Sequence, residues 1–118
     1  MVLGGIVWGL WHAPLTVQGH NYGLSYPGYP WTGILLMCLF CIFAGICLMW
    51  LTVKSGSIWP AALCHGTLNA VGAVPALFLK SGYPIASPFS PTAAGLISLI
   101  PMGILALLAA RNLLREKP

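Results

Sequence analysis

Residues 31–53, WTGILLMCLFCIFAGICLMWLTV, carry no charged side chain, and Thr32 and Thr52 are the polar residues among them. A helix needs about 20 mostly apolar residues to cross some 30 Å of hydrocarbon, so this stretch reads as a transmembrane helix. On its C-terminal side, runs from about Ser57 to Leu79 and from about Thr92 to Ala110 have the same character. On its N-terminal side, Val2–Val17 is apolar but shorter, either a squat helix or one whose beginning has been cut away. The expected fold class is all-α: a polytopic membrane protein of about four transmembrane helices, with residues 1–118 forming a single transmembrane domain.

Composition points the same way. Hydrophobic residues make up 58% and charged residues 5% of the 118, against about 25% charged in a typical soluble domain; mean hydropathy is +0.90. Five Lys and Arg with one acidic residue, Glu116, cannot cover a globule with solvated charge. Disorder requires low hydrophobicity and high charge, the reverse of this chain. The net charge of +4 is no nucleic-acid footprint, because the cations are scattered and three of them fall in the last eight residues. The implied surroundings are the lipid bilayer, with no nucleic-acid partner. The first residues read poorly as a cleavable signal peptide, since a basic leader is missing and Trp8, Trp11, His12 and Pro14 interrupt them.

Between the apolar runs the chain uses breaker residues. Residues 18–30 hold three Gly, two Pro and three Tyr together with His20, and residues 81–91 hold three Pro and a Gly; both read as ordered, irregular loops. Tyr22, Tyr26 and Tyr29 suggest an interfacial collar, and His20 a solvated loop residue. Lys54-Ser55-Gly56-Ser57 reads as a tight turn, with a Ser to cap the next helix and Pro60 tolerated in its first turn. Pro75 and Pro101 fall inside spans and are expected to kink them. With four alternating spans, Lys54 and the Arg111, Arg115, Lys117 group share a side, opposite Lys80; the positive-inside rule then puts both termini in the cytoplasm of a multi-pass inner (plasma) membrane protein. Cys38, Cys41, Cys47 and Cys64 all lie in spans, where thiols act as small packing groups; Cys38-x-x-Cys41 lacks the context of a redox or zinc motif.

Ionisable residues inside a membrane are costly and usually face the bundle interior at a functional site. His12 and His65 are the two candidates. Each has a partner one helical turn away, in Trp8-x-x-x-His12 and His65-x-x-x-Asn69. At about 100° per residue, Ile58, Ala61, Asn69 and Gly72 fall on the His65 side, and Trp59, Leu63, Val71, Leu77 and Phe78 on the other. Gly5, Trp8, Gly9 and Thr16 share the His12 face, and Gly5-x-x-x-Gly9 is a close-packing motif. At about 1.5 Å per residue the two imidazoles sit at comparable depth and are expected to converge on one cavity. Taken singly, each could instead be a structural imidazole hydrogen-bonded across helices, and Asn69 interhelical glue.

The segments Val7-Trp8-Gly9-Leu10-Trp11-His12-Ala13-Pro14 and Ser57-Ile58-Trp59-Pro60-Ala61-Ala62-Leu63-Cys64-His65-Gly66-Thr67-Leu68-Asn69-Ala70 resemble the CPBP intramembrane proteases, also called Abi or CAAX-protease-like. That family includes the type II CAAX prenyl endopeptidases. Its three helix-borne motifs are E-E-x-x-x-R, F-x-x-x-H and H-x-x-x-N/D. Trp8 to His12 matches the second with Trp for Phe, and His65 to Asn69 matches the third. The first is missing, because Glu116 is the sole acidic residue. The chain is therefore expected to be a fragment, the C-terminal half of a larger helical bundle.

The resemblance implies an intramembrane endopeptidase that hydrolyses a peptide bond in a membrane-associated peptide or protein substrate. His12, His65 and Asn69 would be its catalytic residues here: His12 assisting a glutamate that activates water, and His65 and Asn69 donating to the oxyanion. Lacking the glutamate, the chain alone is expected to be inactive or nearly so. No cofactor is expected. A catalytic zinc usually takes three protein ligands plus water, whereas this chain offers two imidazoles and a poor ligand in Asn69. Two rivals stay open: a non-catalytic membrane scaffold or immunity-type protein, and a haem protein with His12 and His65 as axial ligands.

Overall fold

A computed structural model of the chain describes residues 1–72, 74–78, 87–89 and 92–115. The chain forms α1 (Val2–Trp11), α2 (Ala13–Val17), α3 (Trp31–Ser55), α4 (Trp59–Val71), a 3-10 turn (Val74–Phe78) and α5 (Leu96–Arg115), with no strand among the described residues. The long apolar run folds as the central helix, and α1, α2, α4 and α5 all pack against α3. α3 stops at Gly56, which takes the left-handed conformation (φ 64°) that an L side chain rarely adopts. Lys54 in the last turn complements the negative end of the helix dipole.

Among the described residues two helices, α3 with 25 residues and α5 with 20, are long and apolar enough to cross a membrane; α1 has 10 residues and α4 has 13. Proline chemistry explains where the other two expected runs break. His12 closes α1 and opens α2, because Pro14 has no N–H to extend the ladder past it. The run drawn over residues 57–79 is α-helical only from Trp59 to Val71. Pro75, expected to kink that helix, has no N–H for the Val71 carbonyl, and the chain passes instead into the 3-10 turn. At the other end Pro60 occupies the first turn, as the sequence predicts, but the N-cap is Ile58 rather than a Ser; Ser57, one residue earlier, accepts the Trp59 N–H on Oγ at 3.3 Å. The last helix starts four and ends five residues later than drawn, and contains Pro101. Lys80, most of the loop 81–91, Glu116 and Lys117 lie outside the described residues.

Helix directions follow from the contacts. Gly5 and Gly9 are buried against α3, where a Cβ would overlap the Cα atoms of Ile42 and Cys38 respectively. Rising numbers on α1 meet falling numbers on α3, so the two run antiparallel with backbones touching. Gly103 lies against the Phe43 ring, and Trp50 Nε1–H donates to Asn112 Oδ1 at 2.8 Å, so α5 runs parallel to α3. Lys54, Arg111 and Arg115 are thereby gathered at one end. α4 turns back along α3 through the Gly56 bend and packs on it.

One buried cluster joins Tyr22, Leu36, Met37, Cys41, Ala94 and Leu99, and a second joins Ile46, Ala106 and Ala109. Cys41 is a packing residue, fully buried, whereas Cys64 is exposed. The face of α4 predicted to be bulky and apolar points outward: Trp59 is 71% and Leu63 70% exposed, as is Phe78 of the 3-10 turn at 85%, while Ala61, His65 and Leu68 are half-buried. Ile58 and Asn69, assigned to the His65 side, are exposed as well. Apolar surface of this extent is a liability in water but costs nothing against lipid or further helices.

The expected tyrosine collar is corrected at Tyr22. This side chain is wholly buried, and its hydroxyl donates to the Ala94 carbonyl at 2.8 Å. Tyr26 and Tyr29 instead bond within their own half of the chain, to the Pro30 and Val17 carbonyls.

Candidate active site

The sequence pairs arrive from two helices that are not consecutive. α1 carries Trp8 and His12 one turn apart, and α4 carries His65 and Asn69. They meet at the Trp8 indole. Its ring centroid lies 5.2 Å from that of His65 in an edge-to-face arrangement of 83°, and 6.1 Å from that of His12 at 58°. Edge-to-face contact sets the positive rim of one ring against the negative face of the other. Trp8, which the sequence places on the His12 face, thus touches both imidazoles.

Backbone chemistry fixes the orientation of His12. Its Nδ1 lies 2.8 Å from the Trp8 carbonyl oxygen. A carbonyl can only accept, so Nδ1 carries the hydrogen, and in the neutral ring Nε2 is left as a proton acceptor. His65 is held less tightly: the Asn69 amide nitrogen donates to its Nε2 at 3.4 Å, near the outer limit of a hydrogen bond.

Beside this cluster lies a cavity of about 530 Å³. His12 and Asn69 line it directly, with Met37 and Phe40 of α3 as its apolar wall. His65 and Trp8 are not among its lining residues; His65 reaches it through Asn69. Thr92, Ala93 and Ala94 close one side, and that segment is pinned twice. Ala93 N–H donates to the Gly72 carbonyl at 2.9 Å, and Tyr22 holds the Ala94 carbonyl. The 18–30 loop folds under α3 through positive φ at Asn21 (69°) and Gly23 (73°), which flank Tyr22. Burial, first of all, pushes the Tyr22 hydroxyl far above its ordinary pKa, so it remains a donor.

His20 is exposed in the 18–30 loop, as the sequence suggests, and it also lines the same cavity as His12. Among the described residues the cavity wall holds no Asp, Glu, Lys or Arg, and no group of three His, Cys, Asp or Glu could hold a metal ion.

These features define a helical membrane protein in which two imidazoles and a carboxamide from separate helices gather beside a largely apolar cavity. The family model for type II CAAX prenyl endopeptidase Rce1-like proteins matches residues 1–71, from the start of α1 to the end of α4, and the chain belongs to that family. Both the Trp8–His12 and His65–Asn69 pairs fall within the match. No curated protein and no solved structure matches the chain.

Proposed function

We propose that this chain furnishes the imidazole and amide half of an intramembrane endopeptidase site that cleaves a membrane-associated peptide or protein. The observation carrying this reading is that His12 and His65 meet on one indole inside a family match that spans both motifs. In the reaction, the free Nε2 of His12 shares with a glutamate the task of taking a proton from water. The water oxygen bonds to the scissile carbonyl carbon, the C–N bond breaks, and the proton passes to the departing amine. Asn69 and His65 donate to the oxyanion as it forms. With His65 Nε2 occupied by Asn69, its Nδ1 is the nitrogen that carries hydrogen. Preorganised donors of this kind are worth about 3 kcal/mol each in the transition state.

The glutamate is not supplied by these 118 residues, whose single acid is Glu116, so the chain acts only beside a carboxylate-bearing helix. We place all four helical runs in the inner membrane, as half of a larger bundle, with the Lys54, Arg111 and Arg115 end in the cytoplasm. The lone acidic residue also favours a second reading, a non-catalytic scaffold or immunity-type protein that keeps the fold without the chemistry.

A chimera separates the two. Residues 1–118 replace the corresponding helices of an active family member that retains E-E-x-x-x-R, and cleavage of that member's peptide is measured. The endopeptidase reading expects turnover by the chimera, none by the isolated chain, and losses of about 100-fold or more in kcat for His12→Ala, His65→Ala and Asn69→Ala. A folded chimera without activity supports the scaffold.

A further inference from the structure

A second concavity lies between α3 and α5, at the far end of α3 from the candidate active site. It holds about 410 Å³, with Trp50 and Leu51 on one wall and Leu105, Leu108 and Asn112 on the other. Inside it, Trp50 Nε1–H donates to Asn112 Oδ1. What remains for a ligand is apolar surface. Helical spacing continues both walls by one more turn and ends each in a cation. On α3 the lining positions 47, 50 and 51 lead to Lys54 at i+3 and i+4; on α5 the positions 105, 108 and 112 lead to Arg115. Both cations are exposed.

We infer that this groove binds an anionic glycerophospholipid, with an acyl chain between α3 and α5 and the phosphate between Lys54 and Arg115. Charge complementarity selects this occupant. An apolar slot that opens between two cations at the end of two membrane-length helices matches a molecule with a hydrocarbon chain and an anionic head. Basic pockets of this kind between transmembrane helices bind anionic headgroups. A zwitterionic lipid fills the slot without using the cations, and free phosphate uses the cations without the slot. The inference does not depend on proteolysis.

The test uses the purified 118-residue chain in neutral detergent, with bound lipid counted by native mass spectrometry. Phosphatidylglycerol is expected to bind in preference to phosphatidylcholine of the same chains by about 30-fold, or about fivefold per cation. The double variant Lys54→Gln, Arg115→Gln brings the two lipids near parity. Lys54→Arg with Arg115→Lys keeps the preference, which separates charge from folding damage. Leu108→Trp fills the slot and removes both lipids, with helix content checked by circular dichroism. Equal binding of the two lipids overturns the proposal. So does an undiminished preference in the Gln variant, retention of lipid by folded Leu108→Trp, displacement by inorganic phosphate, or a dimer that lipid does not dissociate.

Discussion

Two side chains show how much a single residue settles here. His12 is bonded to its own helix through Nδ1, leaving Nε2 of the neutral ring as an acceptor, so which nitrogen is open follows from a backbone carbonyl one turn back. Tyr22 works across the chain, tying the 18–30 loop to the strip before α5. Tyr22→Phe leaves the Ala94 carbonyl unpaired and is expected to cost about 1–2 kcal/mol, read as a lower midpoint of thermal unfolding in detergent. The pH sign follows from the raised pKa. The bond's contribution is complete below the ordinary phenol value near 10 and is lost as pH rises through the higher folded value.

At the level of elements, the α1–α3 contact depends on two missing side chains. Gly9→Leu drives a branched side chain into the Cys38 backbone and is expected to destabilise by about 2 kcal/mol or more. Gly45→Ala on α3 meets nothing within 4 Å and should be neutral or stabilising by up to about 1 kcal/mol. Unfolding midpoints of the two variants check the contrast, and equal effects would mean α1 does not sit against α3 as described. The ends of α1 and α4 show a different control: Pro14 and Pro75 each withhold one N–H, and each marks a place where an apolar run ceases to be one helix. Hydropathy alone does not register this, because a proline among apolar residues leaves the average nearly unchanged.

For the whole molecule, parallel α3 and α5 collect the described cations at one end, while the 18–20 turn and the 92–94 strip lie at the other. If the basic end is cytoplasmic, a membrane-impermeant thiol reagent on intact cells labels Gln18→Cys and spares Arg115→Cys, with the unmodified chain as baseline. The opposite pattern would invert the proposed orientation.

The membrane character, the two long helices, the close-packing glycines and the one-turn pairing within Trp8–His12 and within His65–Asn69 were legible in the sequence. Each depends on neighbours within a few residues, through hydropathy, side-chain size and helical period. Comparable depth for the imidazoles could also be counted from rise per residue. Tertiary structure alone decided that Trp8 joins them, that Asn69 rather than His65 lines the cavity, and that His20 and Tyr22 belong to its surroundings. Those contacts connect segments as far apart as Tyr22 and Ala94, and no local pattern encodes which distant backbone a loop will fold against until the helices between have packed.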